Sequence, residues 1–288
     1  MGIPEFIYTV LLKPAPLRKA ANLFLKSILP KTVKVKSAVI HLNPADPVVS
    51  GALALHVYEK DEIEFFAKWF QPNMNFVDVG ANVGLYTGMA LVQKSETSIV
   101  LSVEPEKSAL KYLKKTININ SKNINNVIIC PVAVSDKSGE TILYKNNENK
   151  GDNRIYPDLI LNDQETIHTD TLDSLCKNHK INNIDFIKVD VQGAEFKVFA
   201  GGSQILAQSP DCILMAEFWP YGLSKCGSSP KNYLDLLQEL GFYLFELNGN
   251  KMNKINDFNI FISECPGRVY KNIIGLKGLY YKEIYNYI

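Results

Sequence analysis

Phe76-Val77-Asp78-Val79-Gly80-Ala81-Asn82-Val83-Gly84-Leu85-Tyr86-Thr87 is the stretch on which the reading of the whole chain turns. Phe76 to Val79 is a short apolar run of the kind a buried strand shows, and it breaks at two glycines into a segment with helical spacing at Leu85, Met89 and Val92. Strand, tight turn, helix is the order this predicts. Gly80 and Gly84 permit positive φ and leave space where a Cβ would stand, while the new helix aims unpaired N–H groups and its positive dipole end at whatever lies in front of it. Twenty residues past Gly84, after the apolar run Ile99-Val100-Leu101-Ser102-Val103, stands Glu104, placed to accept hydrogen bonds from both hydroxyls of a ribose. Together these are one half of a mononucleotide-binding unit.

The chemistry of the turn narrows the ligand. A dinucleotide site needs G-x-G-x-x-G, because its second and third glycines bring a pyrophosphate onto the helix end and close helix against strand. Here the turn is Asp-x-Gly-x-Asn-x-Gly, with the Asp78 carboxylate two residues before the first glycine. That carboxylate repels phosphate but can serve the ammonium of an amino-acid moiety. S-adenosylmethionine carries a ribose, an adenine, a sulfonium and an amino acid, and no phosphate. The turn is therefore read as a S-adenosylmethionine loop, with glycines present only for packing as the alternative.

With 288 residues and 46% apolar content, the chain is long enough for one large α/β domain with an appendage. A net charge of +1 gives no global argument for nucleic acid, and no aromatic-interleaved basic groove is evident. Cys130, Cys176, Cys212, Cys226 and Cys265 are scattered without C-x-x-C pairing, as buried thiols in a reducing compartment would be. The sequence has no run of eighteen apolar residues and no signal-peptide pattern near its start, so a cytoplasmic protein is expected.

From Phe6 to Ala45 there are seven basic residues and no acid, and Leu17, Ala20, Ala21, Phe24, Leu25 and Ile28 share one helical face. This reads as a basic amphipathic helix, packed on the domain or a neighbouring subunit, or else resting on anionic lipid at the inner face of the membrane through residues 13–36. Val33 to Leu42 and Ala52 to Tyr58, around Asn43-Pro44-Ala45-Asp46-Pro47, are expected to form a hairpin. A helix over Asp61 to Phe70 then feeds the central strand, and Ser108 to Ile119 is the next helix. Val127 to Val134 is read as the third strand, and Ala133-Val134 leave it where an adenine would lie. Residues 145–170 are read as a long polar loop forming part of a substrate lid. Asp185 to Asp190 is a strand, Ala194 to Leu206 a helix, Cys212 to Phe218 a strand ending at Glu217, and Asn232 to Leu240 a helix capped by Gly241. Tyr243 to Leu247 and Phe258 to Ser263 bracket Asn248-Gly249-Asn250 as a terminal antiparallel hairpin.

The expected fold is thus α/β: a doubly wound, mostly parallel sheet of seven strands, with an N-terminal helix and hairpin extension. The divisions are residues 1–57, the extension; 58–265, the catalytic domain; and 266–288, a tail with Tyr270, Tyr280, Tyr281, Tyr285 and Tyr287. The tail suits a glycan platform, an interface in a homo-oligomer, or core packing.

The chain resembles the FkbM-type methyltransferases, a class I S-adenosylmethionine-dependent family. The resemblance rests on Tyr58-Glu59, the stretch from Val77 to Thr87, Glu104-Pro105, Pro131 to Ser135, Thr171-Leu172-Asp173, Ile187-Lys188-Val189-Asp190-Val191-Gln192-Gly193-Ala194-Glu195, and Ala216-Glu217. Gln192 departs from it, the family usually having Glu there. The resemblance implies O-methylation, often on sugars of glycans or on secondary metabolites, and implies a cofactor site made by Glu59, Asp78, Gly80, Ala81, Asn82, Gly84, Tyr86, Thr87, Glu104, Pro105, Ala133, Val134 and Asp190. A saccharide or glycoconjugate hydroxyl is the expected acceptor; a secondary metabolite, or cofactor binding without turnover, are the alternatives. The Asn/Asp-Pro-Pro-aromatic turn of enzymes that methylate nitrogen is replaced here by Asp190-Val191-Gln192-Gly193.

An alcohol is a poor nucleophile until a base removes its proton, and Asp190, Glu217 and Glu195 are the carboxylates at the ligand-binding edge of the sheet. His56 and His168 are weaker candidates. Asp190 and Glu217 also offer two oxygen ligands for Mg²⁺, although no spacing demands a metal.

Overall fold

The computed structural model describes residues 29–121, 123–146, 149–158, 161, 163–249 and 251–285. The basic helix read over residues 17–28 lies outside them. The described chain opens with a hairpin of β1 (Thr32–Val35) and β2 (Ala38–His41), paired antiparallel and turned at Lys36, whose φ is +52°. The hairpin expected across residues 33–58 is thus confined to residues 32–41. Asp46 accepts a hydrogen bond from the Val49 N–H and Pro47 occupies the first turn, so the following segment becomes helix α1 (Pro47–Ala54) rather than a second strand. Helix α2 (Lys60–Trp69) follows.

Among the described residues the main sheet has eight strands: β3 (Phe76–Val79), β4 (Val100–Val103), β5 (Val127–Cys130), β9 (Phe186–Val189), β10 (Cys212–Phe218), β11 (Tyr243–Asn248), β12 (Lys251–Lys254) and β13 (Lys271–Lys277). Their spatial order is β12-β11-β13-β10-β9-β3-β4-β5. The five strands from β5 to β10 run parallel, and β13 enters antiparallel between β10 and β11. Chain connections leave β3 first toward β4 and β5 and then, from the other side, toward β9 and β10. That reversal opens a crevice at the carboxyl ends of β3 and β9.

Two expectations change at the far end of the sheet. Phe258 to Ser263 is a helix, because Asp257 accepts hydrogen bonds from the Asn259 and Ile260 N–H groups and starts a helical turn. The strand that completes the sheet is β13, inside the segment read as a tail, and the hairpin partner of β11 is the short β12.

Helices cover both faces: α3 (Leu85–Leu91) and α4 (Lys107–Asn120) with the hairpin and α2 on one, and α5 (Leu172–Asn178), α6 (Glu195–Ala200), α7 (Ser203–Gln208) and α9 (Pro230–Glu239) on the other. The first face is centred on Phe66, whose ring meets Phe70, Phe76, Tyr86 and Phe186 at centroid distances of 5.0 to 5.3 Å. Removing such a ring from a close-packed core costs about 3–5 kcal/mol. The helix expected over 194–206 is broken in two at Gly201-Gly202. Between α7 and α9 lies α8 (Pro220–Lys225).

The third strand also ends earlier than expected. Pro131 cannot donate to the ladder, so β5 stops at Cys130 and Ala133–Val134 become β6 of a separate three-stranded sheet, β6-β8-β7. Its other members, β7 (Gly139–Lys145) and β8 (Asp163–Asp170), pair antiparallel, so only residues between them remain loop in the segment read as a lid. Among the described residues no helix is long and apolar enough to cross a membrane.

Candidate active site

At the crossover, β3 delivers Asp78 into a polar row across an otherwise apolar sheet face, where it lies in register with Ser102 on one neighbour and Lys188 on the other. Asp78 is fully buried; its Oδ2 accepts from the Thr87 N–H at 3.0 Å and from the Thr87 hydroxyl at 2.6 Å. These bonds tie strand to helix, and they place Asp78, Thr87 and Gly84 behind the crevice wall rather than on it. Burial pushes the Asp78 carboxyl above its ordinary range, against the pull of Lys188.

The crevice itself is lined by Gly80, Ala81, Asn82, Tyr86, Glu104, Pro105, Ala133, Val134, Glu59 and Asp190. Glu104 accepts from the Asn82 N–H at 2.9 Å and from the Glu106 N–H at 2.8 Å, one bond to each oxygen, which fixes the carboxyl while leaving lone pairs toward the crevice. Burial raises it to about 7. A Cβ on Gly80 would lie 2.0 Å from the Asp190 carbonyl oxygen, so the turn runs directly against the end of β9. Glu59, held at φ +40°, accepts from the Tyr86 hydroxyl at 2.7 Å.

A second chamber of about 470 Å³ adjoins the first, within the range of small-molecule sites. Tyr58, Glu59, Tyr86, Lys188, Asp190 and Gln192 belong to both walls. Asp190 stands at the junction with its side chain 24% exposed; Gln192 Nε2 donates to its Oδ1 at 2.8 Å and Lys188 Nζ approaches its Oδ2 at 3.4 Å. Glu217 lines the second chamber only, and its Oε2 is buried with no hydrogen-bond partner. Burial first, then the carboxylates of Asp190, Glu195 and Glu59, hold it well above the usual carboxylate range.

Glu195 does not join them. Its Oε1 accepts from the Val191 and Gly193 N–H groups at 3.2 and 3.1 Å, so it holds the turn that ends β9, and its side chain lines neither cavity. His56 is exposed, and His168 faces solvent beside Glu140 on the outer sheet. Both histidines are set aside as bases by position. Among the described residues no three His, Cys, Asp or Glu side chains are gathered as a metal ion requires, and the cation beside Asp190 is Lys188. The Mg²⁺ considered for Asp190 and Glu217 thus gains no support from the side chains gathered here.

Lys188 is the functional residue that pattern reading passed over. Burial alone would push its ammonium down, but Asp190, Asp78 and Glu59 outweigh that and hold it above the ordinary lysine value. It sits over the Tyr86 ring at 5.4 Å from the centroid, and its Nζ is 3.4 Å from the Gly80 carbonyl. A lysine in a four-residue strand whose every position is buried was the available signal, since lysine is almost never buried unpaired. The loop before β8 adds Lys150, Gly151, Asn153 and Ile155 to the crevice. It is pinned by Arg154, which donates to Asp152 and Asp158 and lies over the Trp219 ring at 5.0 Å.

A family model described as a methyltransferase FkbM domain matches residues 78–244. The chain belongs to the FkbM methyltransferase family. The matched span runs from Asp78 to β11, so β13 completes the sheet from outside it. Among solved structures, FkbM from Methylobacillus flagellatus is similar at 13% identity and a TM-score of 0.46, covering 90% of this chain and 59% of that one. The chain thus spans about three fifths of that protein's length. A Streptococcus mutans methyltransferase solved with SAH aligns at 12% identity and a TM-score of 0.43, covering 74% of this chain and 94% of that one. TYW2 from M. jannaschii, solved with AdoMet, gives 12% identity and 0.38, covering 85% and 84%. A search of curated proteins found no match.

The crevice of this FkbM methyltransferase fits its donor on the chain's own atoms: a glycine turn without side chains, an acid with free lone pairs after β4, and an apolar shelf at Ala133 and Val134. Because Glu104 titrates near 7, donor affinity has a pH dependence of defined sign. The ionised form accepts hydrogen bonds better than the acid, so affinity rises as pH increases through 7 and falls below it. Calorimetric titration with S-adenosylhomocysteine is expected to give roughly tenfold tighter binding at pH 8 than at pH 6. Glu104→Gln is expected to bind weakly at both values and to flatten the profile.

Proposed function

We propose that this chain transfers a methyl group from S-adenosylmethionine to a hydroxyl of a saccharide or glycoconjugate. The observation that carries the reading is Asp190, a part-exposed carboxylate on the wall common to the two cavities. One cavity suits the donor by Glu104, Asn82, Ala133 and Val134, and the other is left for the acceptor. Bound donor supplies an electrophilic methyl group; everything else is asked of the chain.

Asp190 receives the hydroxyl proton. Gln192 and Lys188 fix its orientation, and Lys188 offsets the charge of the surrounding carboxyls so that a base can be kept in a buried setting. Holding base, hydroxyl and donor in one geometry is the larger contribution to rate in such displacements. A saccharide is favoured over an apolar aglycone by the polar lining of the acceptor chamber, where Glu59, Glu62, Glu217 and Asn272 present acceptors and donors to hydroxyl groups. Tyr270, 57% exposed at the chamber, offers a ring face of the kind that packs on the apolar face of a sugar.

The test is methyl-labelled donor with a panel of methyl glycosides, a polyketide alcohol and RNA as acceptors. Label is expected in a sugar product that survives mild alkali, as an ether does and an ester does not. Transfer only to the polyketide or to RNA would overturn the saccharide reading, and donor binding with no transfer to any acceptor would make the chain a scaffold.

A further inference from the structure

The acceptor chamber carries an excess of carboxyl groups over cations. Five carboxyl side chains line it, Glu59, Glu62, Asp152, Asp190 and Glu217, against a single lysine or arginine among the described lining residues, Lys188. Four of the five are answered within the protein. Asp152 accepts from Arg154, Asp190 from Lys188 and Gln192, Glu59 from the Tyr86 hydroxyl, and Glu62 from the Asn272 amide. Glu217 keeps one oxygen, Oε2, buried without a donor. A buried carboxyl oxygen in that state is costly, and the neighbouring acids make it costlier.

We infer that the acceptor brings a protonated amine into this chamber, seated against Glu217, so that the saccharide is an amino sugar or carries an amine beside the reacting hydroxyl. This rests on the reading of the second chamber as the acceptor site. A neutral hydroxyl could give Glu217 one hydrogen bond but would leave the excess of carboxyls in place. A phosphate, sulfate or uronic acid would add a like charge to it. An ammonium supplies the donor that Oε2 lacks and a positive charge that favours the ionised form of Glu217 over the neutral acid that its burial otherwise imposes, and charge-assisted hydrogen bonds are about twice as strong as neutral ones. Held as ammonium against Glu217, the nitrogen has no lone pair and cannot itself be the nucleophile. The hydroxyl is left to Asp190.

The experiment is calorimetry on the full chain saturated with S-adenosylhomocysteine at neutral pH, with three probes: methyl α-glucosaminide, its N-acetyl derivative and methyl α-glucuronide. The amine is expected to bind at least roughly tenfold more tightly than the N-acetyl compound, and the glucuronide not at all. In Glu217→Gln, which keeps the shape and removes the ionisable oxygen, the advantage of the amine is expected to vanish. The wild-type comparison stands even if that variant does not fold. Equal binding of amine and N-acetyl probes, binding of none, or tightest binding of the glucuronide overturns the inference. Methyl transfer to a neutral glycoside without preference for the amine would sink it while leaving the O-methyltransferase reading intact. Tight binding of the amine with no transfer to any hydroxyl would do the reverse.

Discussion

Asp190→Asn is expected to lower methyl transfer by about 10²–10⁴-fold, the range a positioned base contributes. The substitution keeps size and shape, so the wall between the two cavities stays in place; what it removes is the lone pair and charge that take the hydroxyl proton. Asparagine can still turn its carbonyl oxygen to Gln192, but its amide then meets the Lys188 ammonium with a donor instead of an acceptor. Lys188 retains Asp78 and Glu59 as partners, which is why the ammonium is expected to stay in place. Affinity for S-adenosylhomocysteine, measured by calorimetry, is expected to change little, because Glu104 and the glycine turn hold the donor from the other side. The opposite split, full turnover with donor affinity down tenfold, would make Asp190 a donor ligand and leave the base to be found elsewhere.

What the chain discloses before folding is uneven, and the reasons are physical. Phe76 to Thr87 and Glu104 are legible because a buried parallel strand must be an unbroken apolar run, and a ligand turn must be glycine where backbone approaches backbone. Asp78 shows the limit of that reading. Its position two residues before Gly80 matched a ligand role, yet the side chain turns inward to Thr87, and nothing in a one-dimensional pattern distinguishes an acid that faces the ligand from one that braces the turn behind it. Glu195 repeats the case, being committed to the Val191 and Gly193 N–H groups.

Strands without an apolar run escaped notice. In β8 only Ile167 and Thr169 are buried, so Asp163 to Asp170 passes for a polar loop. Strand β13 carries no unbroken apolar run because Gly275, which packs against Leu214 and Phe242, interrupts it. Phe258 to Ser263 is a short, largely apolar run that passes for a strand, and the Asp257 cap starts it as a helix. The candidate site depends on one of these pieces. Strand β13 sets Asn272 opposite Glu217, and both residues line the second chamber.

Gly80→Ala is expected to be among the most damaging single-atom additions in the protein. At φ +78° an alanine is strained by itself, and its Cβ would stand 2.0 Å from the Asp190 carbonyl oxygen and 3.0 Å from the carbonyl carbon. Neither partner can yield cheaply. The Gly80 N–H donates to the Val103 carbonyl at 3.0 Å and the Asp190 N–H to the Val79 carbonyl at 3.1 Å, so both backbones are fixed in the centre of the sheet. Left-handed strain and overpacking each cost about 1–3 kcal/mol, and together they remove a large share of a stability of about 5–15 kcal/mol. Gly267→Ala is the control, since Gly267 has φ +62° but nothing within 4 Å of the added Cβ, leaving strain alone. Urea denaturation is expected to show Gly80→Ala several kcal/mol less stable than the native chain, and Gly267→Ala within about 2 kcal/mol of it. If Gly80→Ala folds, displacement of the Asp190 backbone should weaken donor binding and turnover together, whereas Asp190→Asn lowers turnover alone. Equal stability of the two glycine variants would mean that the turn after β3 is not pressed against the end of β9, and the wall shared by the two cavities would lose its footing.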